Sequence, residues 1–165
     1  MKCKGMIAMV MALAMLGGAA SAQCGYAGRS GRYVICEDAG GSVAGSSQSA
    51  MEAELVRQVN ADRAKNGLGA LSVSKELNRA AQVRAREIVE KFSHTRPNGS
   101  RWTTVSTAAR GENIAKGQQS VDKVMAAWMS SQGHRANILR ASFGSIGVCA
   151  YKQGNVMYWV QLFGK

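Results

Sequence analysis

The sequence predicts an α+β domain, with helices first and a strand pair last. Two observations carry this. Apolar residues recur at helical spacing through 75–92 and again through 120–133, and the chain ends in two short apolar runs, SIGVCAY and VMYWVQLF, joined by Lys152-Gln153-Gly154-Asn155. Such runs around a Gly-Asn turn make an antiparallel hairpin. Helices followed by paired strands pack in layers on a small sheet.

The domain is expected to span 51–165. It opens with MEAELVRQVNADRAKNG, where Leu55, Val59 and the aliphatic stem of Arg63 share one helical face and Gly67 supplies a stop. In LSVSKELNRAAQVRAREIVEKF, residues Leu77, Ala81, Ala85, Ile88 and Phe92 mark a second face. Ser74 is a suitable N-cap, and the helix should end before Pro97 and Gly99. A third helix begins near Ser120, with Val121, Val124, Met125, Trp128 and Met129 on its apolar stripe. It should end at Gln132-Gly133, and RANILR can add one more short helix. ARGENIAKG, between Gly111 and Gly117, reads as a loop.

Three segments precede the domain. Residues 1–22 combine Lys2 and Lys4, an apolar run from Met6 to Leu16 and an Ala20-Ser21-Ala22 site, the pattern of a cleaved secretory signal. The run is short for a bilayer span, which needs about 20 residues. Export is therefore expected, to an extracellular or periplasmic location. Residues 23–38 suggest a small hairpin closed by a Cys24–Cys36 disulfide, which would stabilise by about 3 kcal/mol in the chain-entropy view. Cys149 is then left over, and an odd count leaves other pairings open. Residues 39–50, AGGSVAGSSQSA, have the composition of a flexible linker.

Removal of Lys2 and Lys4 lowers the net charge from +11 to +9. That surplus favours anionic partners such as an envelope surface. The basic residues are scattered, among them Arg57, Arg63, Arg84, Arg96 and Arg101, which reads as a solvated cationic surface. With no dense basic run and no recognition motif, no specific nucleic acid is expected. A monomer is expected.

The chain has two histidines, His94 in FSHTRPNGS and His134 in SSQGHRANIL. With Glu112 in GENIA they occupy the expected breaks between elements, where function concentrates on a rigid scaffold. An imidazole can carry a proton near neutral pH or ligate a metal, and a carboxylate can orient it. Each group could equally cap a neighbouring helix or loop. Asn113 and Asn137 read as structural, bonding their own local backbone. Trp128 and Trp159 read as core anchors, while Trp102 in SRWTTV sits in a loop.

FSHTRPNG, GENIA, the W-x-x-S-x-G-H of Trp128 to His134, RANIL and YWVQLF, in this order, resemble the CAP superfamily. That group contains cysteine-rich secretory, antigen 5 and pathogenesis-related 1 proteins, and the likeness is closer to its bacterial SCP-like extracellular branch. It covers 54–164, including VNADRAKNGLGALSVSKELNRAAQVRA. The resemblance implies a three-layer α-β-α sandwich with a cleft lined by two histidines and two glutamates. His94, Glu112 and His134 match three of these, and Ser131 stands at the position of the second glutamate. That departure weakens both a two-carboxylate mechanism and metal binding.

The resemblance implies ligand binding more than turnover, for a lipid, a sterol-like or other small apolar molecule, a glycan or a peptide. His94 and His134 are candidate ligands for Zn²⁺ or another divalent cation, with an incomplete shell. The alternative is a hydrolase with His134 as base, Glu112 orienting it, and water or Ser131 as nucleophile. Ser131 lacks the G-x-S-x-G surroundings of a nucleophile elbow. A second alternative is a cationic, envelope-associated structural protein.

Overall fold

The computed structural model describes residues 44–165, with side chains from Ser47 onward. The signal segment over 1–22, the hairpin over 23–38 with its Cys24–Cys36 pairing, and residues 39–43 lie outside the described residues. In chain order the elements are α1 (Ala44–Lys65), β1 (Ser72–Val73), α2 (Lys75–Glu90), a 3₁₀ turn (Trp102–Val105), β2 (Gly111–Lys116), α3 (Val121–Ser130), α4 (Gln132–Ile138), β3 (Ser145–Gln153) and β4 (Val156–Gly164).

Helix α1 begins inside the stretch read as linker, and the ordered domain therefore starts before Met51. Contacts supply what composition lacks. Gln48 Nε2 donates to Glu52 Oε1 at 3.4 Å, and the same oxygen accepts from the Ala150 backbone N–H at 3.1 Å, which ties this turn to β3. Helix α2 starts where its cap predicts, with Ser74 accepting from Leu77 N, and Ser120 does the same for α3 through Lys123 N. Gly67 follows α1 at φ 69°, the left-handed conformation that ends a helix cheaply only in glycine.

The four strands lie in the order β1-β3-β4-β2. β3 and β4 form the expected antiparallel hairpin, turning through Gly154 at φ 58°. β4 also pairs antiparallel with β2, and β1 adds two residues parallel to β3. Side chains of β4 alternate between two cores. Trp159 and Phe163 join Leu55, Val59, Val124 and Trp128 under α1, α3 and α4. Tyr158, Val160 and Leu162 join Leu77, Ala81, Ala85 and Ile88 under α2. The result is the α-β-α sandwich that the resemblance implies, and Trp128 and Trp159 are buried anchors as expected.

Helix α2 crosses β3 at Gly147. A Cβ at this position would overlap the Leu77 carbonyl and the Asn78 nitrogen, so only glycine lets helix and strand come this close. At the β1 end of the sheet, β3 extends well past its short partner. There Asn78 Oδ1 accepts from Val148 N at 2.9 Å, and Glu52 accepts from Ala150 N. Side chains from α2 and α1 thus cover those donors, a protection that edge strands need.

Candidate functional site

The site forms around the other terminal strand, β2. Glu112 is on this strand and not in a loop, a correction to the expectation for ARGENIAKG. The strand escapes notice because layers cover both its faces, so Gly111 to Ala115 are all buried and the apolar-polar alternation is absent.

The Glu112 side chain lies on the α2 side of the sheet, almost wholly buried, and meets Arg84 from α2. Arg84 Nε donates to Glu112 Oε2 at 2.7 Å, and its side chain is 0% exposed. Arg84 also donates through Nη1 to Glu87 Oε2 at 2.6 Å and through Nη2 to the Ser93 carbonyl at 2.8 Å. Arg96 closes on the far side of Glu87, with Nη2 to Oε1 at 2.6 Å. Burial acts to raise the Glu87 pKa, but hydrogen bonds from Arg96 and Arg84 outweigh it and hold the carboxyl below its ordinary value. Arg63 is buried as well, donating to the carbonyls of Gly69, Ile138, Arg140 and Phe143. Part of the cationic surface read from the sequence is therefore interior. A guanidinium is buried when a carboxylate or several carbonyls satisfy its fork of donors.

This ladder of alternating charge ends at His94. Its Nδ1 lies 2.7 Å from Glu112 Oε1. An ionised carboxylate only accepts, so Nδ1 carries the proton of this hydrogen bond. The imidazole side chain is 56% exposed. The ladder thus fixes the ring at its Nδ1 edge and leaves the rest toward solvent.

His134 comes from the opposite layer. It lies in the first turn of α4 and not in a segment following α3, because α3 stops at Ser130 and α4 starts at Gln132. Ser131, at the break, caps the C-terminus of α3 and precedes α4 without bonding a backbone N–H through its side chain. Burial, and next the charge of His94, hold the His134 pKa below the ordinary imidazole value. Both causes favour the neutral form of His134.

The asparagines hold α4 against β2. Asn113 Nδ2 donates to the His134 carbonyl at 3.1 Å and to Gln161 Oε1 at 3.0 Å. Asn137 Nδ2 donates to the Glu112 carbonyl at 3.2 Å and to Asn113 Oδ1 at 3.0 Å. Both are structural as expected, but they bridge elements instead of serving their own local backbone. Trp102 is half-buried in the 3₁₀ turn and packs on the α2-side core.

A cavity of about 300 Å³ opens beside His134, with Phe92, Trp128, Ser131 and the end of β2 in its walls. Of the four residues at the family's cleft positions, His94 and Glu112 are in direct contact, and His134 and Ser131 face this cavity. Arg84 is the participant that sequence reasoning missed. Its signal was its place on the apolar face of α2, four residues from Ala80 and Ile88.

The arrangement differs from the hydrolase expectation, since Glu112 orients His94 and not His134. It also offers little to a metal. The Glu112 oxygens are taken by Arg84 and His94, and among the described residues no group of three or more His, Cys, Asp or Glu could hold an ion. His94 and His134 supply two imidazoles, short of the four protein ligands of a resident zinc.

The sequence model of the cysteine-rich secretory protein family, CAP, matches residues 56–163. The chain belongs to this family. The chain is 39% identical over 126 residues to the uncharacterized protein YkwD of Bacillus subtilis (strain 168), a match covering 72% of this chain and 48% of YkwD. The chain thus spans about half the length of that curated relative. Among solved structures, an outer surface protein from Borrelia burgdorferi superposes with a TM-score of 0.61 at 24% identity, covering 68% of this chain and 90% of that one. An extracellular protein containing an SCP domain from Bacillus anthracis superposes with a TM-score of 0.66 at 21% identity, covering 72% of this chain and 41% of that one. These likenesses show that the CAP domain here has the same fold.

Proposed function

We propose that this chain is an exported CAP-domain binding module, and that the cleft between the His94 loop, the end of β2 and α4 holds its ligand without turnover. One observation carries the reading: the cleft carboxylate, Glu112, is committed to Arg84 and His94. A general base needs an oxygen free to take a proton from water or substrate. His134 and the cavity walls suit holding a ligand by hydrogen bonds and apolar contact. Export follows from the signal pattern over 1–22 and agrees with the Bacillus anthracis neighbour's description as extracellular.

A divalent ion, Zn²⁺ included, is on this reading a guest of His94 and His134 and not a resident cofactor. The surplus of positive charge lets the domain rest on anionic envelope material, and such adhesion weakens as salt rises.

The test is native mass spectrometry of protein purified from its own host, paired with a peptide and ester hydrolysis panel. The expected result is a co-purifying ligand that His134→Ala loses, with hydrolysis at the buffer rate for both proteins. Turnover by the wild type that His134→Ala abolishes would establish the hydrolase instead.

A further inference from the structure

The two edges of the sheet are finished differently. At the β3 edge, Asn78 and Glu52 accept from the outward N–H groups of Val148 and Ala150. At the β2 edge the cover is one-sided. Gly117 N donates to Met157 O across the ladder with β4, which places the backbone groups of Glu112, Ile114 and Lys116 outward. Two outward carbonyls are taken, Glu112 O by Asn137 Nδ2 at 3.2 Å and Ile114 O by Trp128 Nε1 at 3.4 Å. Among the described residues, no acceptor is found for the N–H of Ile114 or of Lys116.

The cavity beside His134 runs along this uncovered stretch, with Ile114, Lys116 and Gln118 in its lining. Among the described residues Gln118 Oε1 is buried and has no hydrogen-bond partner. A buried acceptor left unmade costs about 1–3 kcal/mol, so a donor brought to it is stabilising. On the α2 side stands Phe92, 48% exposed, and on the α4 side Trp128.

We propose that this edge takes an extended peptide as a fifth strand. The inference rests on the reading that the cleft holds a ligand, and names its class. Donors at Ile114 and Lys116 are two residues apart on one strand, about 6.6–6.8 Å, which is the spacing of alternate carbonyls in an extended peptide. The peptide carbonyls accept from these two N–H groups, and a peptide N–H donates to Gln118 Oε1. Its side chains alternate, one meeting Phe92 and exposed Lys116 on the α2 side and the next facing the α4 side. A lipid tail has no acceptors to match this repeat, and a sugar ring does not repeat at strand spacing. Strand addition of this kind draws affinity from main-chain bonds and selectivity from alternate side-chain pockets.

The test is selection of a fully randomised hexapeptide phage library on the full chain, followed by synthesis of an enriched peptide. Two readouts decide. Amide hydrogen exchange of Ile114 and Lys116 should slow on binding, and alternate N-methylation of the peptide in one register should weaken it about tenfold while the other register is tolerated. Lys116→Pro, which removes one outward donor, should weaken binding to a similar degree. If that variant fails to fold, the N-methylated peptides on the wild type carry the decision. Absence of any enriched peptide overturns the inference, as does binding that leaves both amides exchanging freely. A glycan or lipid found in the cleft, with no peptide binding, overturns this inference and leaves the cleft-binding reading standing.

Discussion

Arg84 Nε lies 2.7 Å from Glu112 Oε2, and neither side chain is exposed by more than 1%. The pair joins α2 to β2 through the interior and positions His94 from behind. Desolvating two charges is costly, and removing one partner leaves the other stranded. Arg84→Met should therefore destabilise the domain by about 3–5 kcal/mol in urea titrations. The double variant Arg84→Met, Glu112→Leu should recover much of that loss, since an apolar pair leaves no stranded charge. Additive losses in the cycle would show that the two residues act independently.

Glu87 carries a second consequence. Its folded pKa lies below the ordinary value of 4.5 because Arg96 and Arg84 hydrogen-bond it. A depressed carboxyl contributes stability that is present above its unfolded pKa and lost as pH falls through the folded one. The difference in unfolding free energy between wild type and Glu87→Gln should be constant near neutrality and shrink as pH drops below 4.5. A difference unchanged into strong acid would contradict this.

Glu52 has the opposite sign. Burial raises its pKa above 4.5, more than the bonds from Ala150 N, Gln48 and the Cys149 thiol lower it. The ionised form is thus penalised at neutral pH, and the penalty eases as pH falls through the folded pKa toward the unfolded one. Glu52→Gln keeps an acceptor for Ala150 N–H and discards the charge. It should raise Tm at pH 7, and the gain should vanish in acid.

His134 should titrate below 6.5 when followed by imidazole proton NMR. Burial is the main cause and His94 the second, so His94→Gln should move the midpoint only part of the way back. A full return would mean that charge, and not burial, sets the value. Because the folded pKa is depressed, His134 contributes stability above the unfolded pKa that is lost on acidification.

Gly147→Ala would drive a methyl into the backbone of α2 at Leu77 and Asn78. Unlike a side chain, that backbone cannot rotate away, so the loss should reach about 3 kcal/mol or more, the upper end for overpacking. Thermal denaturation against Gly144→Ala, where the nearest atom to an added Cβ is at 3.4 Å, provides the control.

Much of the fold was legible because its signals are local. Ser74 and Ser120 cap the helices their sequence contexts predict, Gly67 ends α1, and Gly154-Asn155 turns the terminal hairpin. The candidate site was legible in its residue types, since a chain with two histidines makes each conspicuous. The strand carrying Glu112 was not, because covering both faces of β2 erases the period of two by which a strand is recognised. The helical state of His134 was hidden by Gly133, which reads as a stop yet sits within α4. The early start of α1 was hidden by a linker-like composition that Gln48 and Glu52 override through contacts with each other and with β3.

By itself the sequence determined the family, the order of helices and hairpin, and the handful of side chains with chemistry to offer, because caps, turns and periodicity are written within a few residues of one another. Only the tertiary structure decided what those side chains can do. Arg84 and Glu112 lie 28 residues apart in the chain, and no local pattern tells a buried arginine from a solvated one. Their meeting occupies the acid from the α2 side and leaves its other oxygen to hold His94. Sheet order likewise settles at long range, and it is sheet order that leaves the donors of Ile114 and Lys116 at an open edge beside His134.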